Sequence, residues 1–185
     1  DWFAANKAQF EVAKKEAQHF FEQIGNELIP FDHLEKCKMY RIYRDTRFSQ
    51  DKTPYKNHFG AIYKRVQPHN RGSFYVHLEP GDTFIGAGFW GPDKDDLFRI
   101  RKAIEVEDDL LGILENEDFK NSFGELYGEK LKTAPKGFDK AHPRVDLLQF
   151  KQFLLIKHFT DQEVKSPEFV HEITKNYQLL APFFE

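Results

Sequence analysis

One cysteine, Cys37, is all that this chain of 185 residues carries. An internal disulfide is therefore excluded, and a lone thiol fits a reducing compartment, so a cytoplasmic location is expected. Cys37 sits between Lys36 and Lys38 and is read as a buried or an incidental thiol rather than a nucleophile. No apolar run approaches the roughly 20 residues that a membrane span requires, so a membrane is not an expected partner. There is no Walker loop, no G-x-G-x-x-G, no H-E-x-x-H and no G-x-S-x-G. The nucleotide, zincin and serine-hydrolase chemistries tied to those motifs have nothing to rest on. Asp139-x-x-His142 alone is a weak pattern, no ligand set has zinc-like spacing, and no metal site is expected. No cofactor is indicated. Internal repeats and low-complexity segments are also missing.

What the chain has in abundance is aromatic: 20 Phe and 7 Tyr supply a core poor in Val. At this length one domain over residues 1–185 is expected, burying about 70% of the surface its unfolded chain exposes. The net charge of −3 and sequence pI of about 6.3 argue against a general nucleic-acid coat.

Taken in order, Phe3, Phe10, Ala13, Ala17, Phe20, Ile24 and Leu28 recur at helical steps and predict a long N-terminal helix over Trp2–Leu28, stopped by Pro30. Lys38–Arg44 and His58–Arg65 read as strands, with an irregular segment between them and a polar turn over Gln67–Gly72. Ser73–Leu78 and Thr83–Trp90 read as a hairpin around Glu79-Pro80-Gly81-Asp82. The pairs Leu78 with Thr83, Val76 with Ile85 and Phe74 with Ala87 make one apolar face. The opposite face then carries Tyr75, His77, Glu79, Phe84, Gly86, Gly88 and Trp90. Its glycines leave a bare floor, which either a ligand or another part of the protein covers.

Asp93 to about Leu114 predicts a helix with acids in its first turn. A short helix is expected over Asp118–Tyr127, a structured loop from Leu131, and a fifth strand over Phe153–Phe159. Thr160-x-x-Glu163 is a capping box, Ser166-Pro167-Glu168 a second helix start, and Phe169, Ile173, Tyr177, Leu180 and Phe184 line a C-terminal helix. The sum is an α+β fold: an antiparallel sheet of about four to five strands packed by helices, with long N-terminal and C-terminal helices.

Charge is gathered in one place. Between Lys38 and Arg65 eight cations face only Asp45 and Asp51, a local charge of +6 in an acidic chain. Holding it together calls for an anion or an acidic surface. Arg41, Arg44 and Arg47 suit bidentate donation to phosphate or carboxylate, and Lys52, Tyr55 and Lys56 follow on a loop ordered by Pro54. Trp90 and Lys136 join them as candidate ligand contacts, with Lys136 in the polar loop near Gly137. His77, Glu79 and Asp45 are the candidate acid–base groups. The segment serves equally well as an ion-paired scaffold. Basic residues interleaved with Tyr40, Tyr43, Phe48, Tyr55 and Tyr63 also suit a nucleic-acid strand. Seven acids between Glu105 and Asp118 form a solvated face or complement the basic segment, within the chain or in another copy. An anionic small molecule is the first expectation for a partner, with nucleic acid and protein interaction as alternatives.

Arg41-x-x-Arg44-Asp45-x-Arg47-Phe48-x-x-x-Lys52-x-Pro54-Tyr55-Lys56-x-x-x-Gly60 resembles the signature of an uncharacterised bacterial family, DUF2461. The Phe74–Gly81 stretch with Gly86 and Gly88, and the Leu131–Leu148 stretch, look like the same family. The resemblance implies a shared fold over nearly the whole chain, and about twenty further residues before Asp1. It implies no activity, substrate or cofactor.

Overall fold

The computed structural model describes residues 2–66 and 71–184. Five strands, β1 (Leu34–Met39), β2 (Phe59–Arg65), β3 (Ser73–Leu78), β4 (Thr83–Phe89) and β5 (Phe153–Phe159), form one antiparallel sheet in the order β1-β2-β3-β4-β5. The hairpin register is the one that alternation demands: Phe74 opposes Ala87 and Val76 opposes Ile85. One face therefore presents Ala61, Tyr63, Phe74, Val76, Ile85, Ala87 and Leu155, all buried.

Two helices cover that face. α1 (Trp2–Ala5) and α2 (Lys7–Leu28) replace the single N-terminal helix expected, with a break at Asn6. The buried stripe of α2 is Ala17, Phe21, Ile24, Gly25 and Leu28. Ala13 lies exposed, because it precedes the part of the helix that reaches the core. The buried Tyr63 hydroxyl donates to the Phe21 carbonyl at 2.8 Å and ties the sheet to α2. α8 (Phe169–Leu179) is anchored likewise, its Tyr177 hydroxyl donating to the Tyr75 carbonyl at 2.6 Å. Each bond satisfies a polar atom that burial would otherwise leave costly. Past Leu180 the chain tightens to a 3-10 turn at Ala181–Phe184, where Pro182 cannot continue the α ladder.

Further elements pack beside β4 and β5. The helix expected over Asp93–Leu114 divides into α3 (Lys94–Val106) and α4 (Asp109–Glu115), parted at extended Glu107. Asp93 caps α3 by accepting from the amides of Asp95 and Asp96. α5 (Glu117–Phe123) buries Phe119 and Phe123 and ends at Gly124, whose φ of 65° leaves Leu126 outside it. α6 (Val145–Leu148) follows the loop, and Arg101 of α3 donates to the carbonyls of Leu148 and Phe150. Thr160 and Glu163 form the expected capping box at α7 (Asp161–Val164).

β1 ends at Met39, five residues earlier than its expected end, and begins at Leu34. Arg41–Arg44 consequently lies outside the strand, joined to the following loop by a bridge between Tyr43 and Tyr55. The expected polar turn lies, for 67–70, outside the described residues. Cys37 is exposed on edge strand β1. Loss of hydration holds its thiol above the ordinary range despite the flanking lysines, so it is no activated thiolate. No helix among the described residues is long and apolar enough to cross a membrane.

The two strand glycines differ in what they tolerate. Gly88 has φ of 130°, and an added Cβ would stand 2.1 Å from the Phe153 carbonyl oxygen. At Gly86 a Cβ would meet only the Leu155 oxygen, at 3.7 Å. Gly88→Ala is expected to cost about 2–3 kcal/mol through strain and overlap. Gly86→Ala is expected to be neutral or about 0.5 kcal/mol stabilising. Urea unfolding of the two variants checks the contrast, and equal midpoints would contradict it.

Candidate functional site

Among the described residues, no helix lines the cavity over the centre of the sheet's second face. Alternation sends Gly60, Ile62, Tyr75, His77, Phe84, Gly86 and Ile156 to this side, and that cavity, of about 500 Å³, opens over all of these but Gly60. Its floor is Gly86, its walls include Tyr75, Phe84 and Ile156, and Trp90 and Tyr127 stand exposed at its lip. The bare floor expected from the hairpin is therefore present, and ring stacking organises its surroundings. The Tyr75 ring crosses Gly60, where an added Cβ would lie 2.6 Å from the hydroxyl.

One end of the cavity is polar. His77 is buried, its ring sandwiched between Phe84 (centroids 4.6 Å apart, 10° between planes) and His58 (4.1 Å, 36°). Its Nδ1 lies 3.2 Å from the Tyr75 hydroxyl and its Nε2 lies 2.8 Å from Glu79 Oε2. The other carboxylate oxygen of Glu79 accepts from the Asn57 amide. His58 Nδ1 approaches Glu79 Oε2 to 3.7 Å. Ligand atoms of His58, His77 and Glu79 all lie within 4.8 Å of one another.

Burial, then the His77, Lys56 and Arg44 charges, push the His58 pKa down to about 4, against a smaller opposing pull from Glu79. This imidazole is neutral near pH 7. Burial first, then Tyr40, lifts the Tyr75 hydroxyl to about 12, so it stays protonated and can donate. Lys56 borders the cavity with its ammonium 5.3 Å from the centre of the Tyr40 ring. Burial, then Arg41 and Arg44, make that ammonium easier to deprotonate.

The sequence candidates are dispersed. His77, Glu79, Lys56 and Trp90 meet at or beside the cavity. Arg44 pairs with Asp51, and Arg47 makes two bonds to Asp45, at 2.6 and 2.9 Å. Asp45, thus held, has its carboxyl below the ordinary range because of the Arg47 bonds. Lys52 donates to the Thr46 carbonyl at 2.8 Å, and the Tyr55 ring stacks on Phe3 at 4.4 Å. Arg41 lines a separate hollow against α2, together with Phe10, Lys14 and Tyr40. Lys136 is exposed in its loop and does not border the sheet-face cavity. Asp139 and His142 accept from the amides of Ala141 and Arg144, which shapes a turn. Among the described residues, none of the acids of Glu105–Asp118 forms an ion pair with the basic segment. Asp108 pairs with Arg144, and Glu105 with Lys102.

Sequence reasoning missed His58. The signal lay in the β2–β3 register, where Phe59 opposes Leu78 and Gly60 opposes His77. One step further sets His58 opposite Glu79.

An NMR pH titration of the His58 ring, in EDTA, is expected to give a midpoint near 4. Lys56→Met raises that midpoint by removing a positive neighbour, and Glu79→Gln lowers it by removing a negative one. The depressed folded value means that unfolded chains bind the extra proton first. The His58 contribution to stability is complete above about pH 6.5 and declines as pH falls towards about 4. A His58 midpoint at 6.5 or above would contradict the assigned environment.

The whole-chain resemblance noted from the basic signature agrees with the family comparison. Comparison with curated proteins and with solved structures finds no match. A family model described as conserved hypothetical protein matches residues 1–185, and the chain belongs to that family, DUF2461.

Proposed function

We propose that the cavity on the open sheet face binds a small molecule with an apolar, flat body and a carboxylate or phosphate end. The observation that carries this reading is the unfilled space above Gly86, between aromatic walls and next to Lys56. A cavity of about 500 Å³ is of small-molecule size, and an apolar lining with a few convergent polar groups is the usual make-up of such sites. The body stacks on Tyr75, Phe84 and Trp90. The anionic end takes the Lys56 ammonium, whose loss of hydration strengthens that attraction. His77 lies at the same end and contacts the head group, with the Glu79 carboxylate behind it at 2.8 Å. Arg44, Arg47 and Lys52 act here as a scaffold that holds the Asp45–Lys56 loop and so sets the position of Lys56.

A second reading is favoured by a different observation. Phe48 is 94% exposed, with the Arg47 guanidinium 5.8 Å from its ring centre and exposed Tyr43 on the same stretch. Such a patch suits stacking on a single nucleic-acid strand. Salt-sensitive retention on immobilised oligonucleotides, lost in Phe48→Ala, would establish it. The acidic net charge and the Asp45–Arg47 pair favour the small molecule instead.

A thermal-shift screen of phosphorylated metabolites and aromatic carboxylates tests the first reading. A ligand at about 100 times its Kd is expected to stabilise the fold by about 2.7 kcal/mol, a shift of several degrees. The shift is expected to vanish in Gly86→Leu, which fills the floor, to shrink in Lys56→Met, and to persist in Arg47→Ala. Hits that bind Gly86→Leu as well as the parent chain would overturn the reading.

A further inference from the structure

The geometry points to a first-row divalent cation site, of the zinc type, formed by His58, His77 and Glu79 at the polar end of the cavity. It goes beyond the small-molecule reading and does not depend on it. Two imidazoles and one carboxylate make a three-ligand set that leaves further coordination positions open. A tetrahedral ion with bonds of about 2.1 Å separates its ligand atoms by about 3.4 Å. Here His77 Nε2 and His58 Nδ1 stand 2.8 and 3.7 Å from Glu79 Oε2, and all three ligands fall within 4.8 Å. Small side-chain rotations bring the atoms to ligand spacing.

The surroundings supply the supporting contacts that metal ligands require. The Tyr75 oxygen beside His77 Nδ1 can accept its N–H, which turns the Nε2 lone pair towards the ion. Asn57 holds the outer oxygen of Glu79 and leaves Oε2 for the metal. The stacked Phe84 ring and the tilted His58 ring hold the plane of His77. The open coordination position faces the cavity, where a bound anion or water completes the shell.

The cluster also selects among cations. Lys56 and Arg44 act on His58 as positive neighbours and oppose any cation there. Glu79 is the one carboxylate in the set. An ion held chiefly by oxygen, such as Mg2+ or Ca2+, has too few donors to offset that repulsion. An ion with affinity for imidazole nitrogen has two nitrogens and one oxygen.

Isothermal titration of untagged, EDTA-stripped protein with ZnCl2 in a non-chelating buffer tests the site. One equivalent is expected to bind, with affinity falling at least about 100-fold in both His58→Ala and Glu79→Gln. Co2+ is expected to develop visible absorption that both substitutions abolish, and Mg2+ to give no comparable heat. Melting curves in EDTA, close to that of the parent chain, show that each variant is folded. If one variant fails to fold, the other carries the test. No zinc binding, or binding whose affinity and stoichiometry survive the substitutions, overturns the assignment, as does equally tight Mg2+ binding.

Discussion

The pairing of β3 with β4 is the constraint on which the molecule depends. Strand side chains alternate between faces, so one register decides what each side of the sheet presents. With Val76 opposite Ile85 and Phe74 opposite Ala87, the large aliphatic groups of β3 and β4 turn towards α2 and α8. The other side receives rings, histidine and glycine. A slip of one residue would send His77 and Tyr75 into the core and Val76 and Ile85 into water. The two tyrosine hydroxyls that reach helix and strand carbonyls lock the covered side. The open side is left with a hollow, because none of the described residues fills the space above Gly86.

Electrostatics follow from that arrangement. The local charge of +6 already counts Asp51 and Asp45, and the cations near them are held one by one: Asp51 takes Arg44, Asp45 takes Arg47, and a carbonyl takes Lys52. These exposed pairs contribute little to stability individually. Their effect is positional, since they give the Asp45–Lys56 loop a fixed shape. Of the other cations, Arg65 pairs with Asp32, Lys38 and Arg41 border a hollow against α2, and Lys56 borders the sheet-face cavity. Burial first, then His77, Lys56 and Arg44, keeps His58 neutral, and a neutral imidazole is what metal coordination requires.

Much of this was legible in the chain itself. The hairpin, the glycine floor, β5, the capping box at Thr160 and the α+β class all follow from local alternation and capping rules. The limits were set by non-local contacts. Lys38–Arg44 alternates like a strand, yet β1 uses Leu34–Met39, because pairing with β2 decides which segment joins the sheet. Apolar periodicity runs through Asn6 and through Glu107, where backbone geometry breaks the helices. The three arginines read as one cluster because they are close in sequence. Side chains on an irregular loop have no common face: Arg44 and Arg47 take separate acids, and Arg41 borders a hollow against α2. His58 escaped notice for the converse reason, as its partners lie about twenty residues away across a strand pair.

The central claim is that the exposed sheet face, and not the arginine loop, is where this protein meets its ligand. Amide chemical-shift mapping with a library of small aromatic acids tests it most directly. The account predicts shifts concentrated on Tyr75, His77, Gly86, Gly88 and Trp90, with the amides of Arg47 and Phe48 unmoved. Shifts confined to Asp45–Lys52, with the sheet face silent, would contradict it.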